Sequence, residues 1–150
     1  MTMTLAELTT RTGLDVLDHL ERQVTIPVVD GLQAQGDLIV IPYGLVARHV
    51  GVFPHARRQD VPAVGVELLR SAAGGNPHSL VADAGTCRWT TSVRDPAGLA
   101  LGMIDASEVV YLIHPEHGGT GIAPGRYLVR RQRERGTERG AWLGNRMIAD

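Results

Sequence analysis

The stretch Glu108–Gln132, EVVYLIHPEHGGTGIAPGRYLVRRQ, decides the fold. It sets two short apolar runs, Val109–Ile113 and Tyr127–Val129, on either side of a segment rich in Gly and Pro. Neither run is long enough for a packed helix. In the second run Tyr127 and Val129 share one face and Arg126, Leu128 and Arg130 the other, the period-two alternation of a strand. The same pattern extends upstream and predicts strands near 24–29, 37–42, 64–70, 78–82, 86–91, 99–104, 108–114 and 125–132. Turn signals recur between them at Gln35-Gly36-Asp37, Gly74-Gly75-Asn76-Pro77, Asp83-Ala84-Gly85, Asp95-Pro96 and Gly118-Gly119. That spacing favours a compact antiparallel sandwich or small barrel over βαβ units. The expected class is mainly β, with helix only at the margins.

The margins carry their own signals. Thr4 with Glu7, and Thr12 with Asp15, have the spacing of capping boxes and predict helices over about 5–11 and 13–23. In the second, Leu14, Leu17, Leu20 and Val24 fall on one stripe. Residues 137–150 form a tail with room for one short helix carrying Trp142 and Met147, and Phe53–Pro62 is expected to be a flexible loop. A chain of 150 residues is expected to be a single domain, with a helical segment at 1–23, a β core at 24–135 and a tail at 136–150. If both apolar helices packed on one sheet, they would leave little room for the second sheet that a sandwich needs. The sequence therefore predicts that Leu5, Leu8, Leu14, Leu17 and Leu20 pack in part against a second copy or another protein.

Composition excludes several chemistries. All fifteen basic residues are arginine, so no Schiff-base lysine, P-loop lysine or Ser-Lys dyad exists. A single cysteine, Cys87, rules out an internal disulfide and a Cys-rich zinc framework. No signal-peptide pattern and no run of about 18 apolar residues is present, so the chain is expected to be cytoplasmic with no membrane partner. The glycines form no dinucleotide fingerprint, and neither Cys87 nor Ser79 lies in a local nucleophile motif. Cys87, beside Trp89 on an alternating strand, reads as a small core residue.

The densest chemistry is His114-Pro115-Glu116-His117, at the end of one predicted strand and before a Gly-rich turn. Two imidazoles so spaced, joined by His78 where another Gly-rich turn enters a strand, have the donor set for a divalent transition metal such as zinc. Glu116 would then serve as a general base or as a fourth ligand. The plainer alternative is that these histidines hydrogen-bond loop backbone. Five arginines near the C-terminus include Arg126, Arg130, Arg131 and Arg133, a strip able to neutralise phosphates or dock on a partner. With Glu134 and Glu138 beside it, an ion-paired or solvated face is the preferred reading.

The segments AQGDLIVIP (34–42), GGNPHSLVADAGTC (74–87) and YLIHPEHGGTGIAPGRYLVRRQRE (111–134) resemble a family of small uncharacterised hypothetical proteins of high-GC actinobacteria and their phages. That resemblance spans most of the chain and implies a common β-rich fold without assigning an activity. It also implies a Gly-His-x-His pattern at 74–79 and His-x-Glu-His at 114–117. This chain keeps His78, His114, Glu116 and His117, with Asn76 in place of the first histidine.

The preferred functional expectation is a non-catalytic interaction or assembly protein, part of a homo- or hetero-oligomer. The first alternative is a metal-binding β-barrel enzyme using His78, His114 and His117. The second is RNA or DNA binding through the Arg126–Arg135 strand.

Overall fold

The computed structural model describes residues 3–16, 25–70, 76–135 and 145–147, with side chains up to residue 132. One helix, α1 (Leu5–Thr12), precedes the strands. The first six strands are β1 (Val28–Val29), β2 (Gln33–Gln35), β3 (Leu38–Pro42), β4 (Gly51–Val52), β5 (Arg58–Asp60) and β6 (Val66–Arg70). The next five are β7 (Pro77–Val81), β8 (Cys87–Thr90), β9 (Val93–Arg94), β10 (Ala100–Ala106) and β11 (Val110–His114). The last four are β12 (Gly118–Ile122), β13 (Gly125–Arg131), β14 (Arg133–Arg135) and β15 (Asn145–Met147).

Two main sheets result. One has the order β1-β12-β11-β7-β6 and the other β2-β3-β13-β10-β8-β5. Apart from the parallel β1–β12 contact, the pairs in both are antiparallel. Leu80, Leu112 and Ile122 from the first sheet meet Val40, Trp89, Ile104, Tyr127 and Val129 from the second in one buried core. The described residues form a sandwich and no closed barrel.

Both outer faces are covered as well, which explains why the central strands read as unbroken apolar runs. On the five-stranded sheet, Val81 and Ile113 point away from the sandwich core and pack with Leu5, Leu8, Val16 and Ile26. On the six-stranded sheet, Met103 and Leu128 lie under Val50, with Tyr43, Val46, Val52 and Val93 around them. The segment Tyr43–Val52, with β9, is thus a second cover.

The structure corrects several sequence expectations. The Thr4 cap is present, its Oγ1 accepting from the Glu7 amide at 3.1 Å, but α1 stops at Gly13, whose φ of 72° terminates the helix in the left-handed region. Residues 13–16 are therefore not helical, and 17–23 lie outside the described residues, Leu17 and Leu20 among them. Leu5 and Leu8 are each 2% exposed within the chain itself, and Leu14 is half-buried. Their cover is intramolecular because a sandwich sheet has two faces, and α1 takes the outer one. In the tail, the described piece Asn145–Met147 is a strand paired with β14 rather than helix. The presumed turn at Gly118-Gly119 opens a strand, β12, in which a side chain at Gly121 would sit 2.9 Å from the Pro27 carbonyl. Glycine there lets β1 approach. The expected loop at 53–62 contains β5, paired to β8. No helix among the described residues is long and apolar enough to cross a membrane.

Candidate functional site

Antiparallel register brings the histidines together. β11 pairs with β7 through Tyr111–Val81, Leu112–Leu80 and Ile113–Ser79. One step further along that register, His114 faces His78, both inward, both 1% exposed, with ring centroids 4.4 Å apart. A tight turn follows His114 and returns as β12 at Gly118, whose φ is 80°. His117 in that turn lies with its ring 4.5 Å from His114 and nearly parallel to His78 at 6.2 Å. The three imidazoles thus form a triangular cluster with His114 at its corner, leading from the exposed His117 to the sandwich interior.

The inner end of the cluster rests on Gln35, the last residue of β2, and Asp37, in the turn to β3. His78 Nε2 is 3.0 Å from Asp37 Oδ1, and its Nδ1 is 3.0 Å from Gln35 Oε1. Asp37 is 3% and Gln35 5% exposed. The Gln35 amide nitrogen donates to the Leu112 carbonyl at 3.0 Å and to Thr120 Oγ1 at 3.1 Å, both on the opposite sheet. Its Oε1 is consequently the acceptor, and His78 Nδ1 carries the hydrogen. The Nε2 side of the ring makes its hydrogen bond with the Asp37 carboxyl. Asp37 is tied in turn by its carbonyl, which accepts from the Gln132 amide at 2.7 Å. This cluster joins the two sheets at one end of the sandwich.

His114 is similarly committed. Its Nδ1 accepts from the amides of Glu116 at 3.0 Å and His117 at 3.2 Å, which caps the turn. That nitrogen is unprotonated, so the neutral ring carries its hydrogen on Nε2. Metal ligation through Nε2 would move a proton onto Nδ1, against two N–H donors. Glu116 is exposed and its Oε1 accepts from Asn76 Nδ2 at 3.0 Å. The three sequence-predicted histidines are therefore adjacent. Among the described residues, however, no group of three or more His, Cys, Asp or Glu is arranged to hold a metal ion.

The predicted arginine strip divides. Arg130 makes a two-pronged contact with Asp95, at 3.1 and 2.8 Å, and the Asp95 side chain is 2% exposed. Burial pushes the Asp95 carboxyl up, but Arg130 and the amides of Ala97 and Leu99 together hold it below the usual range. Arg126 lies 4.0 Å from Asp105 and 4.7 Å over the Tyr43 ring. It ends a ladder in which Asp60 pairs with Arg88, Arg88 with Asp105 and Asp105 with Arg126 in register across four strands, with alternating charge. Arg131 is exposed, and the Arg133 side chain lies outside the description.

Of the nucleophile candidates, Cys87 is 1% exposed; burial first, then the charge of Asp105, push its thiol up to about 12. It is a core residue. Ser79 is 6% exposed on the outer face of its sheet.

Two groups escaped sequence reading. Gln35 and Asp37 stand in a turn signal, where polar residues ordinarily meet water, and the only hint was their position beside the apolar run of β3. The other group is the exposed set Arg48, Arg57, Arg58 and Arg94, for which no carboxylate partner exists among the described residues. No curated protein and no solved structure matches the chain. Residues 34–132, which hold Gln35, Asp37 and all three clustered histidines, match a family model, and the chain belongs to the family described as a domain of unknown function, DUF8820.

Proposed function

We propose that this chain is a cytoplasmic, non-catalytic interaction protein, a rigid sandwich that presents its surface to a partner. The observation that carries this reading is the commitment of the imidazoles. Both ring nitrogens of His78 and the Nδ1 of His114 are spent on bonds that hold the sheets and a turn together. Buried polar groups satisfied in this way give a core one defined geometry. Proton transfer or ligation at either ring would break bonds of the fold. The partner-facing chemistry lies elsewhere, on exposed arginines and on exposed apolar residues such as Leu45 and Phe53. The resemblance to actinobacterial and phage proteins is part of the same proposal.

Native mass spectrometry of the chain purified without chelator tests it. The expected result is a species heavier than the monomer, carrying a second copy, another protein or nucleic acid. A bare monomer at every concentration, with no macromolecule bound, contradicts it.

The second reading is metal binding by His78, His114 and His117, favoured by the closeness of their rings. It requires His78 to release Gln35 or Asp37. Elemental analysis of the wild type and of a His114→Ala/His117→Ala variant decides it: one equivalent of metal, lost on substitution, supports it, and no metal in the wild type ends it.

A further inference from the structure

Among the described residues, the cover over the six-stranded sheet carries positive charge with no carboxylate partner. Between Tyr43 and Gln59 there is no acidic residue, while Arg48, Arg57 and Arg58 are all exposed. The register brings Arg58 to the same stretch of chain as Arg94, with Arg57 next to it in sequence. Gly51 pairs with Arg94, the Phe53 amide donates to the Ser92 carbonyl at 3.0 Å, and Arg58 pairs with Thr90. Residues 51–53 therefore run antiparallel along 94–92 and Arg58 lies beside Thr90, with the 53–56 turn between the two pairings, so Arg94, Phe53 and Arg58 follow one another along a bent ribbon. Phe53, the only phenylalanine in the chain, is 48% exposed in the turn that Ala56 closes by donating to the Phe53 carbonyl at 3.0 Å.

Neighbouring charges give the contrast. On the same face of the sheet, Asp60, Arg88, Asp105 and Arg126 balance one another, and Asp95 balances Arg130. The chain has a formal charge of −1, so the patch is a local concentration rather than a reflection of composition. Unpaired guanidiniums fit phosphate oxygens with two parallel donors. An exposed aromatic ring set among them supplies what an acidic protein surface does not use, a platform for a base. The ribbon offers no helix to enter a duplex groove.

We propose that this ribbon, with Arg48, Arg57, Arg58 and Arg94 as phosphate contacts and Phe53 as a stacking residue, binds single-stranded nucleic acid. The inference rests on the interaction reading above and names its partner. Arg126 and Arg130, singled out from the sequence, are not its contacts, because carboxylates of the chain already hold them.

The test is fluorescence anisotropy of the full chain with labelled mixed-sequence 12-nucleotide RNA and DNA, from about 50 to 200 mM salt, where phosphate contacts weaken steeply. Four contacts give a slope of log K against log salt near −3, at about −0.7 per contact. Arg57→Ala/Arg58→Ala brings it near −1.5 by the same constant. Phe53→Leu lowers affinity roughly 5- to 100-fold while leaving the slope unchanged. Arg11→Ala, on α1 over the other sheet and paired with Asp83, changes neither and serves as the control. The stronger of the RNA and DNA arms identifies the natural strand. Unfolding midpoints within a degree of wild type show that the variants are folded.

Absence of binding to both strands at 50 mM salt overturns the proposal and leaves the interaction reading to the native mass. Equal binding of polyglutamate, with Phe53→Leu indistinguishable from wild type, also overturns it and points to an acidic protein partner.

Discussion

Replacing Gln35 with leucine tests the inter-sheet tie at a position that a conventional view of turn residues would leave uninteresting. The side chain is 5% exposed, so the substitution keeps the volume and removes only the amide. It strands the His78 Nδ1–H and leaves the Leu112 carbonyl and Thr120 hydroxyl without the donor they now receive. Each buried group left unsatisfied costs about 1–3 kcal/mol, and since other donors reach some of them, the expected destabilisation is about 2–4 kcal/mol. With a urea m-value near 2 kcal/mol per molar, the midpoint falls by roughly 1–2 M. His78→Leu strands the buried Asp37 carboxyl and the Gln35 side-chain carbonyl and costs about 2–5 kcal/mol. The two substitutions remove a shared bond, so the double variant is less damaged than the sum by at least about 1 kcal/mol. Equilibrium urea unfolding followed by circular dichroism measures all four corners of the cycle. A near-neutral Gln35→Leu, within about 0.5 kcal/mol, with additive effects in the double variant, would refute the tie.

Three further outcomes follow from the same geometry. Asp95 is held below the usual carboxylate range by Arg130, so its contribution to stability is fully present above the unfolded pKa of about 3.9 and is lost as pH falls through the folded value. Acid titration of unfolding midpoints should show a smaller loss below about pH 4 in Asp95→Asn than in wild type, and an equal loss in both counts against the pairing. A methyl group at Gly102 would lie 2.5 Å from both the Thr90 carbonyl and the Trp89 ring, so Gly102→Ala is expected to lower the melting temperature by about 3–10 °C, and calorimetry showing no change would mean the strands lie further apart. Cys87, buried and with its thiol raised to about 12, should not react with Ellman's reagent at pH 8 in the native protein and should react fully in urea; rapid native reaction would place it at the surface.

Much of the fold was legible because apolar alternation and turn residues report local geometry. The strands β3, β6, β7, β8, β10, β11 and β13 fall where periodicity places them. β12 was hidden because its Gly-Gly-Thr-Gly sequence serves close approach of Ile26 and Val28, a tertiary demand that local propensity does not encode. β5 was hidden because its three exposed polar residues make it an edge strand with no apolar signature. The site was legible in part for the same reason. His78, His114 and His117 stood out by residue type, whereas Gln35 and Asp37 lie about forty residues or more from the rings they hold, and only the closing of one sheet over the other brings them there. The arginines of β13 stood out by density, but Arg126 and Arg130 are paired by Asp105 and Asp95, on other segments, and the arginines that no carboxylate among the described residues pairs include Arg48, Arg57, Arg58 and Arg94, whose run is shorter.

The division between imidazoles that serve the fold and a surface that serves the partner is tested most directly by long-range 1H–15N correlation spectra of the histidine side chains, recorded at pH 7 before and after one equivalent of zinc. The expected spectrum shows His114 with an unprotonated Nδ1 and a hydrogen on Nε2, and His78 with Nδ1 protonated, both unchanged by the metal. Saturable zinc shifts at a one-to-one ratio on His78, His114 and His117, with the hydrogen of His114 moving from Nε2 to Nδ1, would contradict that division and make the cluster a metal site.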